Sequence, residues 1–352
     1  MFSNSEISEA IKLMAAGKNP SDSALAAIVS SPDFDGELSS LADRKRREVY
    51  SDEVYLRGLI EISSYCRNNC YYCGLRAGNA NALRYRLSKD EILEVCKEGY
   101  GLGFRTFVLQ GGEDPSFTDS FICDVVSSIK KLYPDCAVTL SIGERDYSSY
   151  KAFFDAGADR YLLRHETADE KHYRMLHPES MSLQKRKECL FALKEIGYQV
   201  GSGFMVGSPY QTVDNIVADL RFLQLLSPDM IGIGPFVSHW STPFKDFENG
   251  SALLTVRLVS VLRLLFPHSL IPATTSLATI GEEYRKKALI SGANVIMPNL
   301  TPLKVRKKYE LYNRKLSSSL ESAQAVEQIK AMLTDIGYRA ASSRGDVKRP
   351  DN

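Results

Sequence analysis

Three of the seven cysteines fall within eight residues, in the stretch Ser63-Ser64-Tyr65-Cys66-Arg67-Asn68-Asn69-Cys70-Tyr71-Tyr72-Cys73-Gly74-Leu75. The spacing is C-x3-C-x2-C. Soft thiolates this close together suit zinc or an iron–sulfur cluster. A structural zinc site takes four protein ligands, and no fourth Cys or His lies nearby, so zinc would need a distant His. A cubane held by three cysteines leaves one iron without a protein ligand, open to a small molecule. The bland reading is three packed thiols. It fits the other four better: Cys96, Cys123 and Cys189 fall in helical patterns, and Cys136 precedes a strand. An odd cysteine count without a secretory signal argues against a disulfide framework.

The elements around this loop follow a rhythm. Strand-like runs lie at 55–62, 105–110, 137–142, 160–164, 199–206, 230–234, 269–274 and 293–297, with amphipathic stretches between them. Ser88-Lys-Asp-Glu91 reads as a capping box opening a helix over 89–100. Gly157, Gly197 and Gly292 each follow a helical pattern as C-terminal stops. Eight strands, each followed by a helix, make the arithmetic of an α/β fold, a (β/α)8 TIM-type barrel. An open doubly wound sheet is the alternative. Residues 1–50 form three helical stretches, a short N-terminal extension too small for a core of its own. The barrel is expected over 51–338, and 339–352, without apolar pattern, as a solvated tail. The cysteine loop ends the first strand, on the C-terminal face where such barrels place their chemistry.

Composition removes several classes. The chain of 352 residues is 44% hydrophobic and 25% charged, which excludes a disordered or fibrous protein. Lys+Arg 44 against Asp+Glu 43 leaves none of the basic excess expected of a nucleic-acid binder. The longest apolar runs, 231–237 and 260–266, are far short of the ~20 residues that span a bilayer. Glu6 and Glu9 at the N-terminus do not read as a secretory signal. The expectation is a cytoplasmic protein with no nucleic-acid or membrane partner. No heptad appears, so a monomer is the default.

The C-x3-C-x2-C loop, with aromatic Tyr72 before its last cysteine, resembles the signature of the radical SAM superfamily. The resemblance implies one [4Fe–4S] cluster held by Cys66, Cys70 and Cys73, whose open iron is chelated by S-adenosylmethionine. One-electron reduction then cleaves the sulfonium and makes a 5′-deoxyadenosyl radical. Gln110-Gly111-Gly112-Glu113, after the second strand, looks like the family's glycine-rich stretch that meets the methionine amino group. Glu166 at the end of the fourth strand is the candidate for ribose hydroxyls, and Arg186 for the methionine carboxylate. Gly203-Phe204-Met205-Val206-Gly207 and 231–236, with Ile233, resemble the segments beside adenine.

Residues 45–315 further resemble one branch of that superfamily, the maturases of FeFe-hydrogenases. The carrying segments are 109–115, 137–144, 161–168, 231–236, 271–275 and 292–299, one per strand and in order. This implies a closed barrel with S-adenosylmethionine at its top. A small organometallic or amino-acid-derived substrate would lie deeper, near Thr139, Ser141, Thr274 and Thr275, with Arg160 as a cavity cation or buried pair member and Met297 in the lining. The implied substrate is an iron synthon from HydG carrying CO, cyanide and cysteine. Its product passes to HydF, and an external electron donor is needed. Some members carry a second cluster on later cysteines, but no cysteine follows Cys189, so one cluster is expected. Asn313 stands where that branch has Pro, leaving open any role for Tyr309.

Two other readings compete. A radical SAM amino-acid mutase such as 3-methylornithine synthase would share the barrel. A non-catalytic metal-binding scaffold would keep the cysteines without Glu113 and Glu166. Biotin synthase needs a second cluster on cysteines at strand ends, which the four scattered thiols do not provide.

Overall fold

The computed structural model describes residues 2–315 and 322–349. Its strands are β1 (Glu53–Leu56), β2 (Gly58–Ser63), β3 (Thr106–Gly111), β4 (Ala137–Ser141), β5 (Arg160–Leu162), β6 (Gln199–Ser202), β7 (Met205–Val206), β8 (Met230–Ile231), β9 (Gly234–Pro235), β10 (Val295–Ile296) and β11 (Arg339–Ala340). A parallel sheet runs β2-β3-β4-β5-β6-β8. Single parallel bridges carry the circuit on, from Met230 to Leu270, Pro272 to Val295 and Asn299 back to Leu59. The architecture is the expected TIM-type α/β barrel. The run 269–274 gives isolated bridges and no ladder, since Pro272 has no N–H to extend one.

Side chains alternate across these strands as a barrel requires. Ile60, Ile62, Phe107, Leu109, Val138, Leu140, Tyr161 and Val200 pack outward against the helices in one buried core. Their neighbours Glu61, Val108, Gln110, Thr139, Ser141, Arg160 and Gln199 occupy the opposite face, towards the lumen. The capping box at Ser88 and Glu91 forms as expected and opens the helix Lys89–Gly101.

The N-terminal helices Asn4–Ala15, Asp22–Ser30 and Asp35–Tyr50 share a core with the barrel: Ile11, Leu25 and Leu38 pack in one cluster with Leu258 and Leu262. Buried Arg46 ties the extension to the barrel floor, donating to the carbonyls of Ser51 (2.8 Å) and Glu53 (2.7 Å).

The expectation of a solvated tail is corrected. β11 pairs in parallel with β1, and the chain then runs beneath the barrel. Arg160, fully buried, donates to the carbonyls of Arg344 and Gly345 at 3.0 Å each and to Asp346 Oδ1 at 2.7 Å. Arg57 also reaches the Gly345 carbonyl, at 3.2 Å. Two buried guanidinium groups need acceptors, and the tail supplies backbone oxygens and one carboxylate. It carries no apolar pattern because its contribution to the interior is polar.

Candidate active site

The cysteine loop leaves β2 and is pinned from several sides. Arg67 N donates to the Glu113 carbonyl (2.9 Å), Tyr71 N to Leu176 (3.0 Å) and Gly74 N to Leu311 (2.8 Å). Arg84 donates to the carbonyls of Leu75 and Arg76, each at 2.9 Å. Cys66, Cys70 and Cys73 are free, partly buried thiols, close enough to act on one another electrostatically. Burial pushes each thiol pKa up, and the neighbouring thiols add to the rise at Cys70 and Cys73; Cys73 reaches about 12. Cys70 Sγ also meets Met181 Sδ at 3.7 Å. Among the described residues no three His, Cys, Asp or Glu side chains converge as one metal ion would require. A cluster, with each thiolate on its own iron, makes no such demand.

Glu113 does not aim its acid at open space. Its Oε2 pairs with Arg67 Nε at 3.1 Å, and its Oε1 accepts from Glu144 N at 2.8 Å. The carboxylate therefore staples the cysteine loop to the end of β4 with one contact on each oxygen, beside the backbone at Gly111 and Gly112.

Beside the thiols lies a polar cradle. The ring of Tyr72 meets His177 edge-on, and its hydroxyl stands 3.1 Å from His177 Nε2. Burial, then Cys70 and Glu166, hold the Tyr72 phenol protonated. Met205 packs with Leu176, Phe236 and Phe244, against which Tyr72 also rests. Arg186 Nε meets Glu144 Oε1 at 2.5 Å, and its Nη1 donates to the Arg164 carbonyl at 2.7 Å. Burial opposes its charge, yet Tyr173, Glu144 and Tyr72 keep its pKa above the ordinary value.

Glu166 is the strained residue of this face. Its φ is +66°, a left-handed conformation costly for a residue with a Cβ. Hydrogen bonds over-determine it: its N donates to the Gly203 carbonyl (3.1 Å) and its own carbonyl accepts from Met205 N (3.2 Å). Behind it, buried Asp219 accepts from Ala168 N at 2.5 Å. Glu166 Oε2 and Arg164 Nη2 lie 2.9 Å apart, but both atoms, with the Tyr173 hydroxyl, are buried without a well-directed hydrogen bond.

The remaining expected site residues divide. Gln110 Nε2 donates to the hydroxyl of buried Tyr309 at 3.3 Å, which places Tyr309 against the site. Buried Glu61 joins this wall through Lys315 and through Asn299 Nδ2 at 3.0 Å. Thr139 faces the lumen, and its buried hydroxyl has no hydrogen-bond partner. Ser141 lies further up β4, half-buried. Thr274 precedes the short helix Thr275–Ile280, its hydroxyl 3.2 Å from Ser276 Oγ, and Thr275 is that helix's first residue. Met297 packs towards Met230 and Val295. One assignment is corrected: Arg160 is committed to the tail under the barrel floor, as a buried pair member. Ile233 buries its side chain outward in the core with Val259 and Leu262, which leaves its backbone to meet a ligand. The opening comes instead from Gly232, where a Cβ would meet nothing nearer than Pro272 Cγ at 3.9 Å.

Sequence reasoning missed Glu144, Arg164, Tyr173 and His177. Glu144 and His177 act through Arg186 and Tyr72, distant in sequence, so spacing carried no signal for them, whereas Arg164 lies only two residues from Glu166. Strand alternation around Gly232 and Gly234 turns the Ile233 side chain away from the lumen.

The donor set fits an iron–sulfur cluster with a zwitterionic ligand: three enclosed soft thiols beside orphaned polar atoms of both charges. The sequence model of the radical SAM superfamily matches residues 60–223, and the chain belongs to that superfamily. It is an enzyme of this class, and the class implies a [4Fe–4S] cluster and S-adenosylmethionine. Among named relatives, the chain is 44% identical over 316 residues to the [FeFe] hydrogenase maturase subunit HydE of Thermotoga maritima, covering 90% of each. It is 31% identical over 264 residues to 3-methylornithine synthase of Methanosarcina acetivorans, covering 74% of this chain and 73% of that one. The crystal structure of methylornithine synthase (PylB) superposes with a TM-score of 0.82 at 28% identity, over 94% of this chain and 97% of the other. No helix among the described residues is long and apolar enough to cross a membrane.

Proposed function

We propose that this enzyme acts in assembling the two-iron part of the FeFe-hydrogenase H-cluster. Its substrate is the iron synthon from HydG that carries CO, cyanide and cysteine, and its product is handed to HydF. The observation that carries this reading is the 44% identity to HydE over nine-tenths of both chains. That likeness covers far more of the chain than the cysteine loop.

When bound, one [4Fe–4S] cluster and S-adenosylmethionine supply one-electron cleavage of a sulfonium bond and hence a 5′-deoxyadenosyl radical. Cys66, Cys70 and Cys73 hold the cluster. Backbone at Gly111 and Gly112 meets the methionine amino group, Arg186 the carboxylate, and Glu166 the ribose hydroxyls. Tyr72 and Met205 wall the adenosine side. Thr139 offers its unpartnered hydroxyl to the substrate deeper in the lumen. The tail under the floor and Tyr309 near the mouth keep water from this space, which a radical reaction requires.

The test is functional replacement. The reconstituted protein is added anaerobically to HydG, HydF, S-adenosylmethionine and apo-hydrogenase without HydE, and hydrogen evolution is measured. Restored activity is expected. Cleavage of S-adenosylmethionine without restoration would transfer the assignment to an amino-acid mutase.

A further inference from the structure

The outer side of the cysteine loop carries a second feature. A cleft of about 160 Å³ is lined by Gly74, Leu83, His239, Trp240, Lys307 and Lys308, among others. It is smaller than the ~300 Å³ at which small-molecule sites begin. It is sized for one anchoring side chain. Leu83 is 65% exposed and Trp240 53% exposed, an unusual apolar pair to leave in water. Lys307 and Lys308 beside them form no ion pair among the described residues. Glu310, the carboxylate of the lining, faces His239 at 3.8 Å.

The floor of the cleft leads inward. The Trp240 ring stacks on His239, with centroids 5.5 Å apart and planes at 23°. His239 is buried, and Ser241 N donates to its Nδ1 at 3.0 Å, which leaves the ring proton on Nε2. The same ring lies against Gly74: a Cβ there would stand 2.6 Å from His239 Cδ2 and 2.2 Å from the Glu310 carbonyl. Gly74 is bonded directly to Cys73. Two stacked π-systems and one peptide thus join an exposed indole to a candidate cluster ligand.

We infer that this cleft is the electron-entry port of the enzyme, and that its partner is a small one-electron carrier protein with an acidic surface. The inference rests on the cluster assignment above. Lys307 and Lys308 steer the acidic partner, Leu83 and Trp240 supply the apolar centre of the contact, and Trp240, His239 and Gly74 couple it to Cys73. The step moves one electron: the carrier is oxidised by one, the cluster is reduced by one, and no bond changes at the port.

Trp240 is the single tryptophan of the chain, so its fluorescence reads this surface directly. The probe is an acidic 2Fe–2S ferredoxin without tryptophan, titrated into the cluster-loaded full chain at low salt. Saturable quenching is expected, weakened roughly tenfold or more in the Lys307→Glu/Lys308→Glu double variant and by raised salt. Cleavage of S-adenosylmethionine driven by reduced ferredoxin should fall comparably in that variant and in Trp240→Ala, while cleavage driven by dithionite stays at the wild-type rate. Wild-type binding and ferredoxin-driven cleavage in the charge-reversed variant would overturn the port. So would an equal loss with dithionite at unchanged iron content, since the face would then act on the site itself. Failure of the cluster assignment looks different: wild-type protein would cleave nothing even with dithionite, and the port would fall with it.

Discussion

Gly112 lies directly against Cys66: a Cβ on the glycine would stand 2.6 Å from the Cys66 Cβ and 2.3 Å from the Tyr65 carbonyl oxygen. The second contact is with backbone, which cannot swing aside. The glycine after β3 is thus a steric condition for the shape of the cysteine loop. Gly112→Ala should push the loop off its bed, at about 1–3 kcal/mol of overpacking. Iron per chain after reconstitution should drop by more than half. Gly36→Ala is the control, because nothing lies within 4 Å of its added methyl. That variant should bind iron normally and be as stable as the parent or slightly more so. Normal iron loading in Gly112→Ala would remove the glycine from any account of the site.

Glu166 combines an acid on the ligand side with a backbone that disfavours any side chain. The two properties separate by mutation. Glu166→Ala keeps the strain and loses the carboxylate; Glu166→Gly loses both. S-adenosylmethionine should bind both variants about tenfold or more weakly than wild type, a loss of at least ~1.4 kcal/mol, with cluster absorbance unchanged. The glycine variant should nevertheless melt above the alanine variant, because a left-handed φ costs glycine almost nothing. Equal ligand affinity in the parent and Glu166→Ala would refute the ribose assignment.

Much of this was legible in the sequence. Strand alternation and helix stops gave the barrel, and the cysteine loop gave the place of the chemistry. What stayed hidden was pairing. Arg160 reads as a cavity cation or a buried pair member, and nothing in residues 155–165 reveals that its partner Asp346 comes up beneath it. Arg186 reads as unpaired because Glu144, which takes its Nε, lies on another element. Glu113 reads as a ligand acid, and only the fold shows that it also holds Arg67 and Glu144 N. Inward-facing polar residues announce that they need partners, and only the folded chain decides which partners are protein.

Six of the seven thiols should divide cleanly. Cys66→Ala, Cys70→Ala and Cys73→Ala should each abolish S-adenosylmethionine cleavage and the spectroscopic signature of a cubane. Cys96, Cys136 and Cys189 are buried, packed in the core among Val95, Phe104 and Tyr150. Their alanine variants should lose stability but keep about four iron atoms per chain, as one cluster requires. Iron near eight per wild-type chain would break the single-cluster assignment.

The tail beneath the barrel makes acid stability depend on one carboxylate. Although burial alone would raise the Asp346 pKa, hydrogen bonds from Arg344, Gln199 and Arg160 hold it at about 2, below its ordinary 3.8. A depressed carboxyl stabilises the fold fully above its unfolded pKa and loses that contribution as pH falls towards the folded value. The window is therefore between about pH 4 and pH 2. Asp346→Asn should lower the melting temperature at pH 7, and the difference from wild type should shrink on acidification through that window. Asp346 is 41% exposed and Arg160 keeps its carbonyl and Thr106 partners. The loss at pH 7 should accordingly be about 1–3 kcal/mol, below the ~3–5 of a fully buried pair broken on one side. A pH-independent difference would mean that the tail is held by its backbone carbonyls alone, and that the carboxylate of Asp346 contributes nothing to closing the floor.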